Sequence, residues 1–337
     1  MSLLTDVHDR IEQAREAPGC SSELHWTSFA EFFRSRLYDP RLVTRNFLTY
    51  CDDDRNLRRT YSYAEFGTIV ERMAEMFHAK FGLTRGDRIA TVLFNHDLTA
   101  LTYFAAWTLG VAVVPINVEE TPEKKRYILE HSEASVALCW QDVYEELNAL
   151  QSMLPALREV VALGDGGILD GKETRGKSRK NSHAVGARFA PGTSRLDDPA
   201  LIIYTSGTTG PPKGVILTVA NLLIDADAIA DRHGFGLTDR LMCVLPVHHV
   251  NGIVVTLMTP FYCKGSVVLN RKFKTGSFWR RLHEEQVTSV SVVPTLLEFL
   301  LDADEDLAAY RLDRFGGVIC GAGPLLKDTA LRFEERF

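Results

Sequence analysis

The sequence contains no C-x-x-C pair. Its six cysteines, Cys20, Cys51, Cys139, Cys243, Cys263 and Cys320, are scattered along the chain, which reads as buried thiols in a reducing compartment. It has no excess of basic residues either: 38 Lys and Arg stand against 44 Asp and Glu, a net charge of −6, so it carries no electrostatic footprint for nucleic acid. Long apolar runs are missing too. The best candidate, residues 101–116, is broken by Gly110 and Pro115 and falls short of the roughly 20 residues a bilayer requires. A buried helix followed by a buried strand is the simpler reading, and no membrane span is expected. The N-terminus, M-S-L-L-T-D-V-H-D-R, places acids where a secretory leader would have a basic then apolar stretch, so a cytoplasmic location is expected. The nucleophile elbow G-x-S-x-G, the metalloprotease helix H-E-x-x-H and a dinucleotide fingerprint after the first strand are all absent.

What is present is an ordinary globular composition, 337 residues with 45% hydrophobic and 24% charged, and one unusual stretch. Residues 201–214 read L-I-I-Y-T-S-G-T-T-G-P-P-K-G. The apolar, β-branched run Leu201–Tyr204 predicts a buried strand that ends abruptly among glycines and hydroxyls. Gly207 and Gly210 allow the backbone to turn its N–H groups into a concavity, and Thr205, Ser206, Thr208 and Thr209 add hydroxyl donors around it. Such a concavity suits phosphate. Lys213 supplies a fixed positive charge, held by the restricted approach of Pro211-Pro212. The segment fails as a P-loop, because Pro212 stands at the second glycine position and Gly214 where Ser or Thr is required. The alternative is a surface turn without a ligand.

The stretch Y-T-S-G-T-T-G-P-P-K-G at 204–214 resembles, residue for residue, the signature of the AMP-forming adenylating enzymes, which include acyl-CoA synthetases, adenylation domains of peptide synthetases and luciferases. G-D-R-I-A at 86–90 and W-T-L-G-V-A-V-V-P-I-N at 107–117 are similar to core stretches of the same family. The resemblance implies an α/β fold of two stacked, mostly parallel sheets flanked by helices, the larger N-terminal domain of such an enzyme.

Independently of that resemblance, the chain alternates strands and helices. Residues 29–37 are amphipathic; 46–50 and 59–63 predict a hairpin across Asp52-Asp53-Asp54; and 64–80 place Phe66, Ile69, Val70, Met73 and Phe77 on one helical face. Strands at 89–94, 112–116, 135–139 and 160–163 then alternate with helices at 97–109, after Thr121-Pro122, and at 143–153. This order argues for a mostly parallel sheet covered on both faces. Residues 164–194 hold Lys172, Arg175, Lys177, Arg179, Lys180 and Arg188 among glycines and serines and read as an exposed connection. The expected organisation is a first subdomain at 1–170, a linker at 171–197 and a second subdomain at 198–337. In the second, Thr218 caps a helix, which would place the 205–213 loop between a strand and a helix. Strands are expected at 241–245, 266–269, 288–293 and 316–320, with helices at 250–262, 276–285, 295–303 and 325–336.

Two further motifs sit at predicted strand ends, where ligands bind in open α/β sheets. L-P-V-H-H-V-N-G at 245–252 matches the family's acyl-binding segment, and the resemblance makes His249 the residue that swings between acyl pocket and thiol tunnel. Amino-acid-activating members carry an aspartate in this region; here His248-His249 stand instead, so the expected substrate is a carboxylic acid without an α-amine, fatty acids among the candidates. Its lining would be His249, Val250, Gly252, Val293, Pro294 and Thr295. A metal site at His248-His249 is weak, because adjacent residues leaving a strand point to opposite sides and no further ligands complete a set; buried, hydrogen-bonded histidines are the other reading. I-C-G-A-G-P-L at 319–325 resembles the adenine-binding turn, implicating Gly321, Ala322, Gly323 and Pro324, with a simple strand-to-helix turn as the alternative.

The resemblance covers residues 20–337, and the chain stops just before the family's Y-G-x-T-E motif, whose Glu helps hold magnesium. A ribose-binding aspartate, a hinge and a C-terminal domain with a catalytic lysine would follow, so the chain reads as an incomplete enzyme. The implied co-substrates are ATP with Mg²⁺ and CoA, or an acyl carrier protein in place of CoA, with no metal ligands assigned within this chain. A non-catalytic nucleotide- or acyl-binding module, or an inactive scaffold relative, is the alternative.

Overall fold

The computed structural model describes residues 24–164, 167–168, 194–205 and 210–337. Two sheets carry the fold. The first has seven strands: β3 (Arg88–Val92), β4 (Ala112–Pro115), β5 (Val136–Trp140), β6 (Glu159–Gly164), β7 (Gly167–Ile168), β8 (Pro199–Thr205) and β9 (Lys213–Thr218), in the order β7-β6-β5-β3-β4-β8-β9. The second has six: β1 (Asn46–Asp52), β2 (Leu57–Ser62), β10 (Arg240–Cys243), β11 (Ser266–Asn270), β12 (Ser289–Val292) and β13 (Gly317–Cys320), in the order β13-β12-β10-β11-β1-β2. Pairing is parallel throughout except at β1–β2, β6–β7 and β8–β9.

The alternation of side chains along each strand sends successive residues into different layers. Ile89, Val113, Val136 and Leu201 from the first sheet meet Phe47, Cys243, Val267 and Leu269 from the second in one buried cluster. The helices that fill this middle layer are α1 (Phe29–Leu37), α2 (Tyr63–Phe81), α3 (Asp97–Leu109) and α6 (Val219–His233). The opposite face of the first sheet, Ala90, Val114 and Ala137, packs on α4 (Pro122–Ser132) and α5 (Tyr144–Leu150). The outer face of the second, Met242, Val268 and Val290, packs on α8 (Thr275–Glu284) and α9 (Pro294–Asp302). The expected α/β class with stacked, mostly parallel sheets is therefore observed, as five layers.

Helix ends follow local chemistry. Ser62 and Glu65 form a capping box at α2, and Gly82 (φ 64°) closes it in the left-handed conformation. Thr121 caps α4 with Pro122 at its first turn, and Thr218 with Asn221 forms a second capping box at α6. The expected helix at 250–262 differs: residues Asn251–Met258 make a wide π-helical turn before the short helix α7 (Thr259–Tyr262).

The expected division into a subdomain before 171 and one after 197 does not match the sheets. Leu48 pairs with Val267, so the early hairpin β1–β2 belongs to the later sheet, and Val113 neighbours Leu201, so β8 and β9 complete the earlier one. Residues 171–193 of the expected linker lie outside the described residues.

Candidate active site

The parallel arrangement sends the carboxyl ends of β3, β4 and β5 and of β1, β10, β11 and β12 toward a common cleft of about 760 Å³. Asn95, Asn117 and Trp140 line it from the first sheet; His248, His249, Arg271 and Val293 line it from the second. A crevice beyond strand carboxyl ends is where open α/β sheets take ligands.

The phosphate-loop stretch takes a different form from the one expected. β8 and β9 are antiparallel, in a register that runs from Leu201↔Leu217 to Thr205↔Lys213. The loop 206–212 therefore joins two strands of a hairpin, and the helix begins only after β9, at Val219. Ser206, Gly207, Thr208 and Thr209 lie outside the described residues. Thr205 and Lys213 face one another across the mouth, both exposed, and Lys213 makes no ion pair with any described residue. Gly214 sits one step in, where a Cβ would be crowded, 3.2 Å from Cζ of Tyr204 and 3.1 Å from Cγ2 of Ile202. The hydroxyl of Tyr204 is held 2.8 Å from Nδ1 of His131 on α4.

The turn at 245–252 is fixed by a residue the sequence reading passed over. Asn95, buried at the end of β3, donates from Nδ2 to the carbonyls of Leu245 (2.9 Å) and Asn270 (3.1 Å), and its Oδ1 accepts the Val247 N–H (2.8 Å). Tyr103 on α3 donates to the Val247 carbonyl at 2.9 Å. The signal was present, since Asn95 is a polar residue directly after a predicted strand, yet its partners lie some 150 residues away in sequence. Gly252 is sterically obligatory, because an added Cβ would stand 2.5 Å from the Pro246 carbonyl oxygen. The two histidine rings do not diverge as expected: their centroids are 4.4 Å apart and both line the cleft. They stand in a tight turn in which the His249 N–H donates to the Pro246 carbonyl at 3.2 Å. Burial, aided by the neighbouring His249, pushes the His248 pKa down to about 4, and burial also lowers that of His249. Both rings are therefore neutral at pH 7, able to donate or accept a proton through one nitrogen.

The remaining expected residues occupy neighbouring places. Val250 lies with Thr205 in a separate groove of about 560 Å³ between the β8–β9 hairpin and α6. Pro294 and Thr295 open α9. The parallel pair Val292↔Cys320 brings the 321–324 turn beside them: Gly321 donates to the Val292 carbonyl, and a Cβ on Gly323 would lie 3.6 Å from Cδ of Pro294. Ala322 is held at φ 62°, the left-handed region. Gly321 to Pro324 line neither the cleft nor the groove; Cys320 and Leu325, on either side, border a third cavity of about 600 Å³ against Trp279 and Phe333.

Of the cysteines, Cys51, Cys139 and Cys243 are buried, while Cys263 and Cys320 are half-buried. Among the described residues no three His, Cys, Asp or Glu side chains converge, so these residues do not by themselves build a magnesium site. No helix among them is long and apolar enough to cross a membrane.

Comparison with known proteins agrees with this geometry. The AMP-binding enzyme family matches residues 44–337. A sulfoacetate–CoA ligase of Cupriavidus necator is 34% identical over 229 residues, covering 67% of this chain and 43% of that protein. A 2-succinylbenzoate–CoA ligase of Bacillus licheniformis is 32% identical over 252 residues, covering 72% and 46%. The crystal structure of ATP-bound MatB from Rhodopseudomonas palustris superposes with a TM-score of 0.74 at 25% identity, covering 91% of this chain and 57% of that one. The chain thus spans less than half the length of the two curated relatives. With the signature hairpin, the strand-end cleft and the two-sheet architecture all in agreement, the chain belongs to the AMP-binding enzyme family.

Proposed function

We propose that this chain is the nucleotide- and acid-binding portion of an AMP-forming acid–thiol ligase. A carboxylate oxygen of the acid attacks the α-phosphorus of ATP, the bond to the β-phosphate oxygen breaks, and pyrophosphate leaves. The thiol, CoA rather than a carrier protein, then attacks the acyl carbonyl; its proton is released and AMP departs with the electron pair of the acyl–phosphate bond. An ionised carboxylate needs no activation at pH 7, so the protein's work is alignment and neutralisation of the leaving charge.

The observation that carries this reading is the hairpin mouth, where Lys213 stands opposite Thr205 without a carboxylate partner among the described residues. An ammonium group so placed meets pyrophosphate charge as a point cation. Magnesium accompanies the nucleotide and shares that charge. The turn 246–252 carries no acidic side chain, which supports an acid without an α-amine, and His249, kept neutral by burial, stands at the cleft wall. Val250, Gly252, Val293, Pro294 and Thr295 shape the acyl side, and Gly321 to Pro324 the adenine side. The two relatives are named for joining an acid to CoA, which supports CoA as acceptor.

The test is acid-dependent exchange of pyrophosphate into ATP by a protein containing this chain. Exchange with at least one aliphatic, aryl or sulfonated acid is expected, and Lys213→Ala should weaken ATP binding about 10- to 100-fold in calorimetry, the loss of one charge-assisted contact. Absence of exchange across all these acids sinks the reading.

A further inference from the structure

Arg271 follows β11 at the carboxyl end of the second sheet, where its backbone N–H donates to the Cys51 carbonyl at 2.9 Å. Its guanidinium carbon lies over the Phe94 ring, 3.8 Å from the centroid, and the residue is half-buried in the wall of the large cleft. Among the described residues the guanidinium has no hydrogen bond and no carboxylate within ion-pair distance. The cations around it are engaged: Lys272 and Lys274 both hold Asp54, Arg281 holds Asp53 at 2.5 Å, and Arg58 and Arg240 hold Glu285.

A half-buried cation without a partner is costly, and the cost is recovered when an anion arrives. The Phe94 ring covers one side of the guanidinium, and its N–H groups remain for bonds to an oxyanion. Asp52 and Asp54, two carboxylates of the same cleft, have other partners. Asp54 is neutralised by two lysines; Asp52 accepts the Asp54 N–H at 3.0 Å and stands 4.0 Å from Arg55. Burial lowers the Arg271 pKa from its ordinary value, and Tyr50, Asp52 and Asp54 only partly oppose that shift. The same cleft carries His248 and His249 on its wall, so one ligand lying in it can meet both the histidines and Arg271.

We propose that Arg271 is an oxyanion-recognising residue: it receives a phosphate, sulfonate or carboxylate at the end of a ligand remote from the reacting carbonyl. This rests on the functional reading above and names a determinant within it. The oxyanion has two sources, a second acidic group on the acid or a phosphate of the nucleotide-bearing thiol.

Calorimetry on the 337-residue chain separates them with four probes: succinate against butyrate, and CoA against pantetheine, which lacks the phosphates. One of the charged probes should bind at least 10-fold tighter than its uncharged-tail counterpart. Arg271→Gln should abolish that preference, and Arg271→Lys should restore part of it, while butyrate and pantetheine are unaffected. Preference for succinate assigns the second acid group; preference for CoA assigns the phosphate. The inference is overturned if neither preference exists in the wild-type chain, or if either survives unchanged in Arg271→Gln with a native circular-dichroism spectrum. ATP binding that depends on Lys213 is read in parallel and should be untouched by Arg271→Gln. Its presence keeps the ligase reading standing even if Arg271 proves irrelevant, and its absence counts against the ligase reading itself.

Discussion

Asn95 makes three hydrogen bonds from one buried amide, to Leu245, Val247 and Asn270. Truncation would remove all three bonds, and each buried group left short of a partner costs about 1–3 kcal/mol. Asn95→Ala should therefore lower stability by about 3 kcal/mol in urea unfolding and loosen the wall that carries His248 and His249. Asn95→Asp should fare little better, since it keeps the acceptor and loses both donors. His248 makes a prediction of opposite kind. Its folded pKa, about 4, lies below the ordinary histidine value of 6.5, so the unfolded chain takes up a proton near 6.5 that the folded chain refuses until about 4. Stability should fall as pH drops through that window and level off below it. His248→Gln should make the curve flatter between pH 6.5 and 4, measured as the difference in urea midpoint from wild type, which subtracts the carboxylates common to both.

At the scale of elements, the β8–β9 hairpin and α6 form one continuous device. The Thr218 hydroxyl accepts from the Asn221 N–H at 3.2 Å, and the Asn221 side chain accepts from the Thr218 N–H at 2.9 Å, so the strand is clamped to the helix as it ends. Thr218→Ala should cost about 1 kcal/mol, with Thr218→Ser restoring most of it, read as shifts in urea midpoint. This cap was legible in the sequence, as were α3, the Thr121-Pro122 start of α4, and the β1–β2 hairpin, because each depends on residues within four or five positions of one another. β9 was not. Its residues K-G-V-I-L-T include Val215 and Ile216 at 46% and 58% exposure, so an edge strand without inside–outside alternation left no period to read. The phosphate-loop residues were picked out by their chemistry, yet the element after them was misassigned. The same lack of local signal explains why the two histidines were expected to diverge: they leave β10 not along an extended strand but in a turn closed by the His249 N–H on the Pro246 carbonyl, with Gly252 close against that carbonyl.

For the molecule as a whole, the two sheets are bound into one unit by contacts that local sequence cannot announce. Asn95 and Tyr103, from the first sheet's half, hold the backbone of Leu245 and Val247 in the second. The apolar middle layer belongs to both sheets at once. Unfolding should therefore be a single cooperative event: single-tryptophan variants retaining Trp140, at the end of β5, or Trp279, on α8, should report coincident denaturant midpoints. Midpoints separated by more than error would show that the sheets melt apart. The pairing of Leu48 with Val267 has a further effect during synthesis. The hairpin of residues 46–62 leaves the ribosome early, but its parallel neighbour is translated some two hundred residues later, roughly 10 to 40 seconds at ordinary elongation speeds. Throughout that interval the edge of β1 that pairs with β11 has no strand beside it, so codon changes that slow translation between these two strands should reduce soluble yield without altering a single residue.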